Sequence, residues 1–239
     1  MNHQEIKVYL TIDVEQDCPP YLKGYRGIEE GLPRVLNLLK EEKTPATFFV
    51  TGEIAKHFPA QMENILRESH ELGCHGLTHE RFDRMSYEEA NYEIKEATQI
   101  LRKYYLVTSF RAPNLQFPEK YLPLLEREGY RLDSSLAKYK ITHRLKPKSK
   151  TSLTRVSASI TSSALRLPRL IRFALLKKLK NPVVLFIHPW ELIDLTQTKL
   201  RWDCRFKTGE IVLDLLKENI RFFKSRGAQF CRMGELVPS

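Results

Sequence analysis

The feature that most constrains this chain is an alternation of short strand-like runs with helical runs, repeated six or seven times without any sequence repeat. Alternating or wholly apolar β-rich segments are predicted at 7–12, 46–50, 108–110, 131–132, 183–187 and 229–231. Between them the spacing predicts helices over 32–42, with Pro33 in the first turn, and over 58–72, stopped by Gly73. Ser86 with Glu89 three residues later reads as the N-cap of a helix reaching about Tyr104. Further helices are predicted over 119–128 and 211–226, each followed by a glycine. Strands that alternate with helices build a parallel sheet, open or closed into a barrel. One domain spanning 1–239 is expected, with a basic insertion at 138–180 that carries a helix over about 165–179.

Charge bears on partners only once it is located. The chain has 39 Lys+Arg against 29 Asp+Glu. Thirteen of those cations and none of the acids fall within 138–180, so the remainder is slightly acidic. Such a run can be a solvated face, or can meet anionic lipid or nucleic acid. Residues 165–173 mix arginine with apolar side chains, as a segment lying on a membrane surface can, so an anionic membrane is one expected partner. Nucleic acid is not expected, because no nucleic-acid-binding signature accompanies the charge. No apolar run reaches the length of a membrane-spanning helix. The four cysteines form no C-x-x-C pair, so free thiols are expected. Residues 1–7 are polar and 8–10 already begin a strand, which predicts a cytoplasmic protein, peripheral to the membrane where the basic segment touches it.

In a parallel α/β fold the chemistry sits where strands hand over to loops at their carboxyl ends. Asp13 and Glu15 follow the first predicted strand, His75 and His79 a short strand or turn that begins at Cys74, and Arg111, Asp133 and His188 three other strands. His75 and His79 stand at i and i+4, which on a helical turn puts both rings on one face for a metal. With a carboxylate they make a His₂-carboxylate site, which leaves positions open for water and substrate. Asp13 and Glu15, two apart on an extended strand end, project to the same side. One can ligate while the other takes a proton from water. His188 can protonate a leaving group, and Trp190 offers either a stacking surface or core packing.

Five segments resemble, in order, the motifs of the polysaccharide deacetylases (NodB-homology, carbohydrate esterase family 4). They are Thr11-Ile12-Asp13-Val14-Glu15, the His75/His79 pair, Arg111-Ala112-Pro113, Asp133-Ser134-Ser135 and Leu185-Phe186-Ile187-His188. The resemblance covers roughly 5–135 and 183–237. It implies a distorted (β/α)₇ barrel, one divalent metal, usually zinc, and hydrolysis of an N-acetyl group on an amino sugar. Asp13 matches the general base, Arg111 the arginine that orients it, and His188 the general acid. His75 and His79 match metal ligands. The family's commonest pattern has a second aspartate where this chain has Val14, so Glu15 is the expected third ligand, as in the Asp-Val-Glu/Asp subgroup. Pro113, Asn114, Asp133 and Trp190 are the expected substrate contacts, with Tyr25 and Arg26 as weaker ones. Relatives of that subgroup are often oligomers, so a homo-oligomer is expected.

The expected partner is therefore an N-acetylated polysaccharide, oligosaccharide or lipid-linked saccharide. A small-molecule amidase or cyclic imidase of the same fold is the alternative enzyme. A barrel that binds carbohydrate without catalysis is the alternative outside enzymes. A His₂-carboxylate set accepts zinc, cobalt, nickel or iron.

Overall fold

β1 (Lys7–Val14) and β7 (Val183–Ile187) are buried along almost their whole length, which requires cover on both faces and is typical of parallel strands. The computed structural model describes residues 5–140 and 150–238. The remaining strands are β2 (Thr47–Val50), β3 (Glu71–Cys74), β4 (Ser109–Phe110), β5 (Leu132–Ala137), β6 (Thr154–Ala158) and β8 (Gln229–Cys231). They run in the order β6-β5-β4-β3-β2-β1-β7, with β8 also paired to β1.

Two compact units divide the chain. The first comprises Met1–Ala46 and Ser159–Cys231. In it β1 pairs in parallel with β7, Leu10 opposite Leu185 and Ile12 opposite Ile187, and with β8 through Lys7–Tyr9. The helix Leu32–Glu41, with Pro33 in its first turn, buries Leu32, Val35, Leu36, Leu38 and Leu39. The helix Ile211–Lys224 buries Val212, Leu216, Ile220 and Phe223 at helical spacing.

The second unit comprises Thr47–Ala158 and Arg232–Ser239. Its strands β2 to β6 form successive parallel ladders. The helix Tyr87–Leu101 starts in the reciprocal capping box that the sequence announces. The Glu89 amide donates to Ser86 Oγ at 3.2 Å and the Ser86 amide to Glu89 Oε2 at 2.7 Å. Its Ala90, Ile94, Ala97 and Leu101 stripe is buried in the core.

The expectations fail at four points. The helix expected over 58–72 is Pro59–Arg67, preceded by a separate helix, Gly52–His57. Gly73 lies inside β3 and caps nothing. Part of the supposed insertion at 138–180 is a strand of the sheet. β6 pairs with β5, Asp133 opposite Arg155, and its Val156 and Ala158 are buried while Thr154, Arg155 and Ser157 are less so. The helix expected over about 165–179 is a 3₁₀ turn, Ser162–Arg166, followed by the helix Arg169–Lys177. Residues 141–149 of that segment lie outside the described residues. Among the described residues no helix is long and apolar enough to cross a membrane. None of the four cysteines is in a disulfide.

Candidate active site

In the first unit the parallel register carries β1 and β7 to the same end, so Asp13 and Glu15 emerge beside His188. Asp13 and Glu15 are each only 3% exposed. Glu15 Oε1 accepts a hydrogen bond from Trp190 Nε1 at 3.1 Å and stands 3.8 Å from His188 Nε2. The Trp190 ring stacks on the His188 ring, centroids 4.7 Å apart and planes 21° from parallel. Trp190 is buried with one face already covered, so it holds Glu15 and His188 in place and is no open platform for a sugar.

His188 is gripped from its other nitrogen. Nδ1 lies 2.7 Å from Glu191 Oε1, and the His188 amide donates to the same oxygen at 3.1 Å. Glu191 is wholly buried, and its second oxygen forms an ion pair with Arg166 Nε at 3.1 Å. Arg166, 1% exposed, anchors itself by donating to the carbonyls of Phe206 at 2.6 Å and Asp203 at 2.7 Å. The line Arg166–Glu191–His188 thus directs His188 Nε2 toward Glu15. Burial disfavours charge on His188, but Glu15, Glu191 and Asp13 outweigh it and raise its pKa to about 9. Burial also opposes ionisation of Glu191, and Arg166 and His188 more than compensate, so its pKa is lowered.

The segment after His188 is pinned by close backbone approach. A Cβ on Gly31 would sit 2.2 Å from the Pro189 carbonyl oxygen, so only glycine fits there. The loop after Glu15 is tied by Asp17, which accepts from the Gly27 amide at 2.8 Å and the Arg26 amide at 3.0 Å. Tyr25, from the same loop, bonds Gln16 at 3.0 Å, and Arg26 pairs with Glu30 on the surface.

In the second unit β3 ends at Cys74 and β4 at Phe110, so His75 and Arg111 are the first residues past neighbouring strands. The Arg111 amide donates to the Cys74 carbonyl at 2.9 Å. His75 Nδ1 lies 2.7 Å from the Arg111 carbonyl, which can only accept. Nδ1 therefore donates this bond, which makes Nε2 the nitrogen that a metal would use. The rings of His75 and His79 lie 5.3 Å apart between centroids. The helical turn expected for this pair is absent. Residues 75–79 form a loop with Gly76 at φ 81° and His79 at φ 68°, both left-handed, and this curl brings the rings together.

Sequence reasoning missed what holds that loop. Glu93, on the helix Tyr87–Leu101, accepts from the Leu77 amide at 3.0 Å, the Thr78 amide at 3.2 Å and Thr78 Oγ1 at 3.0 Å. Arg111 is fully buried, its guanidinium 4.3 Å over the Phe49 ring and its Nη2 donating to Ser134 Oγ at 2.9 Å. Ser135 Oγ accepts from the Ala112 amide at 2.8 Å. Asp133, expected to contact substrate, is fully buried. Its Oδ1 accepts from the Ser135 amide and its Oδ2 from Arg155 Nε, both at 2.9 Å, so it braces β5 against β6. Pro113 is buried, whereas Asn114 is exposed at φ 58° with its carbonyl accepting from Lys140 Nζ at 2.6 Å.

The family model for polysaccharide deacetylases matches residues 1–132, more than half of the chain. A peptidoglycan deacetylase of Helicobacter pylori is 31% identical over 124 residues, 51% of this chain and 42% of its own length. A chitooligosaccharide deacetylase of Sinorhizobium fredii is 33% identical over 70 residues, 29% of this chain and 33% of its own. The matches thus span less than half the length of these relatives. Among solved structures, a family 4 carbohydrate esterase from Streptomyces lividans in complex with acetate superposes with a TM-score of 0.63 at 15% identity. It covers 95% of this chain and 91% of that one. A pseudoenzyme of carbohydrate esterase family 4 from Bacillus anthracis gives 0.67 at 17% identity, covering 98% and 66%. The fold is the (β/α)₇ barrel of those structures. Both a catalyst and a pseudoenzyme wear that fold, so activity has to be argued from side chains. By its sequence match, the chain belongs to the polysaccharide deacetylase family.

Proposed function

We propose that this protein is a metal-dependent hydrolase that removes the N-acetyl group from an amino sugar in a polysaccharide or oligosaccharide. The observation that carries the reading is the Arg166–Glu191–His188 line, an imidazole oriented through one nitrogen beside two buried carboxylates. That is the arrangement of a proton donor facing a proton acceptor. A barrel that only binds sugar has no use for it.

The donor set fits a divalent ion. Glu15 of the first unit and His75 and His79 of the second are the proposed ligands, one carboxylate and two imidazoles. Two neutral imidazoles and a carboxylate suit zinc, with coordination positions left open. Such an ion, when bound, supplies Lewis acidity toward an acyl carbonyl and a water. The chain's own residues do the rest. Asp13 takes the proton from the attacking water, and Arg111, as in the family pattern, orients Asp13. His188 delivers a proton to the amine nitrogen as acetate departs, with Nε2 as the donating atom because Glu191 occupies Nδ1. Trp190 fixes Glu15 and His188 relative to one another. Pro113 and Asn114 remain the proposed substrate contacts, and Asp133 leaves that set.

The test is elemental analysis together with acetate release from N-acetylglucosamine oligomers. Wild type should hold about one zinc-like ion per chain, and His75→Ala/His79→Ala should lose it. Asp13→Asn should abolish release while the sugar still binds. Metal-free wild type after incubation with zinc, or undiminished release by Asp13→Asn, overturns the proposal.

A further inference from the structure

The helix Arg169–Lys177 is anchored by one face only. Arg172 is 1% exposed and pairs with Glu218, Phe173 stacks on Phe222 at 4.5 Å, and Leu176 is buried. The opposite face should be polar in a surface helix of a water-soluble protein. Here Leu170 is 87%, Ile171 54% and Leu175 37% exposed, and the exposed Ala174 lies between them. Residues 170, 171, 174 and 175 recur at helical spacing, so they form one continuous apolar stripe. Cations frame it. Arg169 at one end and Lys177, Lys178 and Lys180 at the other are all exposed, and no acidic residue occurs anywhere in 138–180.

We propose that this face seats the protein on an anionic lipid bilayer, with Leu170, Ile171 and Leu175 at the headgroup–acyl boundary and the cations on lipid phosphates. The charge pattern selects this occupant. A nucleic acid would satisfy the cations and leave the stripe in water. A second copy packed symmetrically on the stripe would set the cations of both copies against each other, which disfavours that pairing. A bilayer surface alone offers hydrocarbon beneath a layer of negative charge. The helix is nine residues long, so it lies in the interface and does not cross it. The inference stands apart from the hydrolase reading.

The experiment is co-sedimentation of the full chain with vesicles of phosphatidylcholine alone or mixed with phosphatidylglycerol. Binding is expected only to the mixed vesicles, weakening about fivefold for each charge removed by Lys177→Gln or Lys178→Gln at low salt. Leu170→Asp/Ile171→Asp should weaken it by about tenfold or more. These positions are exposed, so thermal melting of the variants should match wild type. No binding to the mixed vesicles overturns the proposal, as does binding that survives Leu170→Asp/Ile171→Asp. A self-association that this variant dissolves, with no vesicle binding, overturns it in favour of a second copy.

Discussion

Replacing His70 by leucine should blunt the chain's loss of stability in acid. His70 is 5% exposed, with its ring 5.2 Å from Phe48, and neither ring nitrogen finds a hydrogen-bond partner among the described residues. Desolvation holds its pKa down at about 4, against 6.5 for the free side chain. Glu68 pulls the other way and Arg232 adds to the depression. Above pH 6.5 both folded and unfolded chains carry a neutral His70, and folding feels nothing. As the pH falls below that, the unfolded chain gains a proton that the folded chain refuses until about pH 4. Stability therefore drops throughout this window. At about 1.36 kcal/mol per pKa unit, the full separation is worth about 3 kcal/mol. Urea unfolding of wild type and His70→Leu across this range isolates the effect, because other titrating groups cancel in the difference. From about pH 7.5 to about pH 4.5 the variant should gain about 2.5 kcal/mol on wild type. A difference that stays flat with pH, or that shrinks as acid is added, would refute the burial argument.

Three further outcomes are expected. Glu191→Gln should lower kcat for acetate release by about tenfold to a hundredfold with KM little changed, since it disturbs a ring that acts on the leaving group; an unaltered kcat would remove Glu191 from the mechanism. Glu93→Ala takes away three hydrogen bonds from the loop bearing His75 and His79. It should weaken zinc binding, read by competition with a chelating dye, by about tenfold or more. Asp133→Ala takes from Arg155 its buried carboxylate at 2.9 Å, Glu119 being farther at 3.4 Å, and should cost about 3 kcal/mol in urea unfolding while leaving KM unmoved. A raised KM without lost stability would return Asp133 to the substrate.

What was legible in the sequence was whatever its local signals determine. β7 reads directly from five consecutive apolar residues, and the helix after Ser86 from a capping box contained within four residues. β6 is masked in the sequence because Arg155 and its cationic surroundings outweigh a short alternation of buried and less buried residues. That arginine belongs in a strand because its partner, Asp133, lies across the ladder, 22 positions away. The His75 and His79 rings do come together, but not on the expected helical turn. An i, i+4 spacing suits a helical turn, yet a loop with two left-handed residues also closes it, and the Glu93 side chain that holds the loop comes from another element.

The basic segment shows why net charge along a sequence is not a surface potential. Among the described residues, seven of its cations form two groups with different roles. Arg155, Arg166 and Arg172 turn inward to Asp133, Glu191 and Glu218, where each meets a carboxylate from outside the segment. One of these pairs, Arg166 with Glu191, reaches the catalytic histidine we propose. Arg169, Lys177, Lys178 and Lys180 face water around exposed leucine and isoleucine. Of these two groups the second is the one that can act on a distant partner, because a buried, paired arginine contributes little field beyond its own carboxylate. The same stretch therefore serves the site with one set of side chains and an outer surface with the other. Substitutions in the two sets should separate cleanly: Arg166→Gln should lower kcat with vesicle binding intact, and Lys177→Gln/Lys178→Gln should do the reverse.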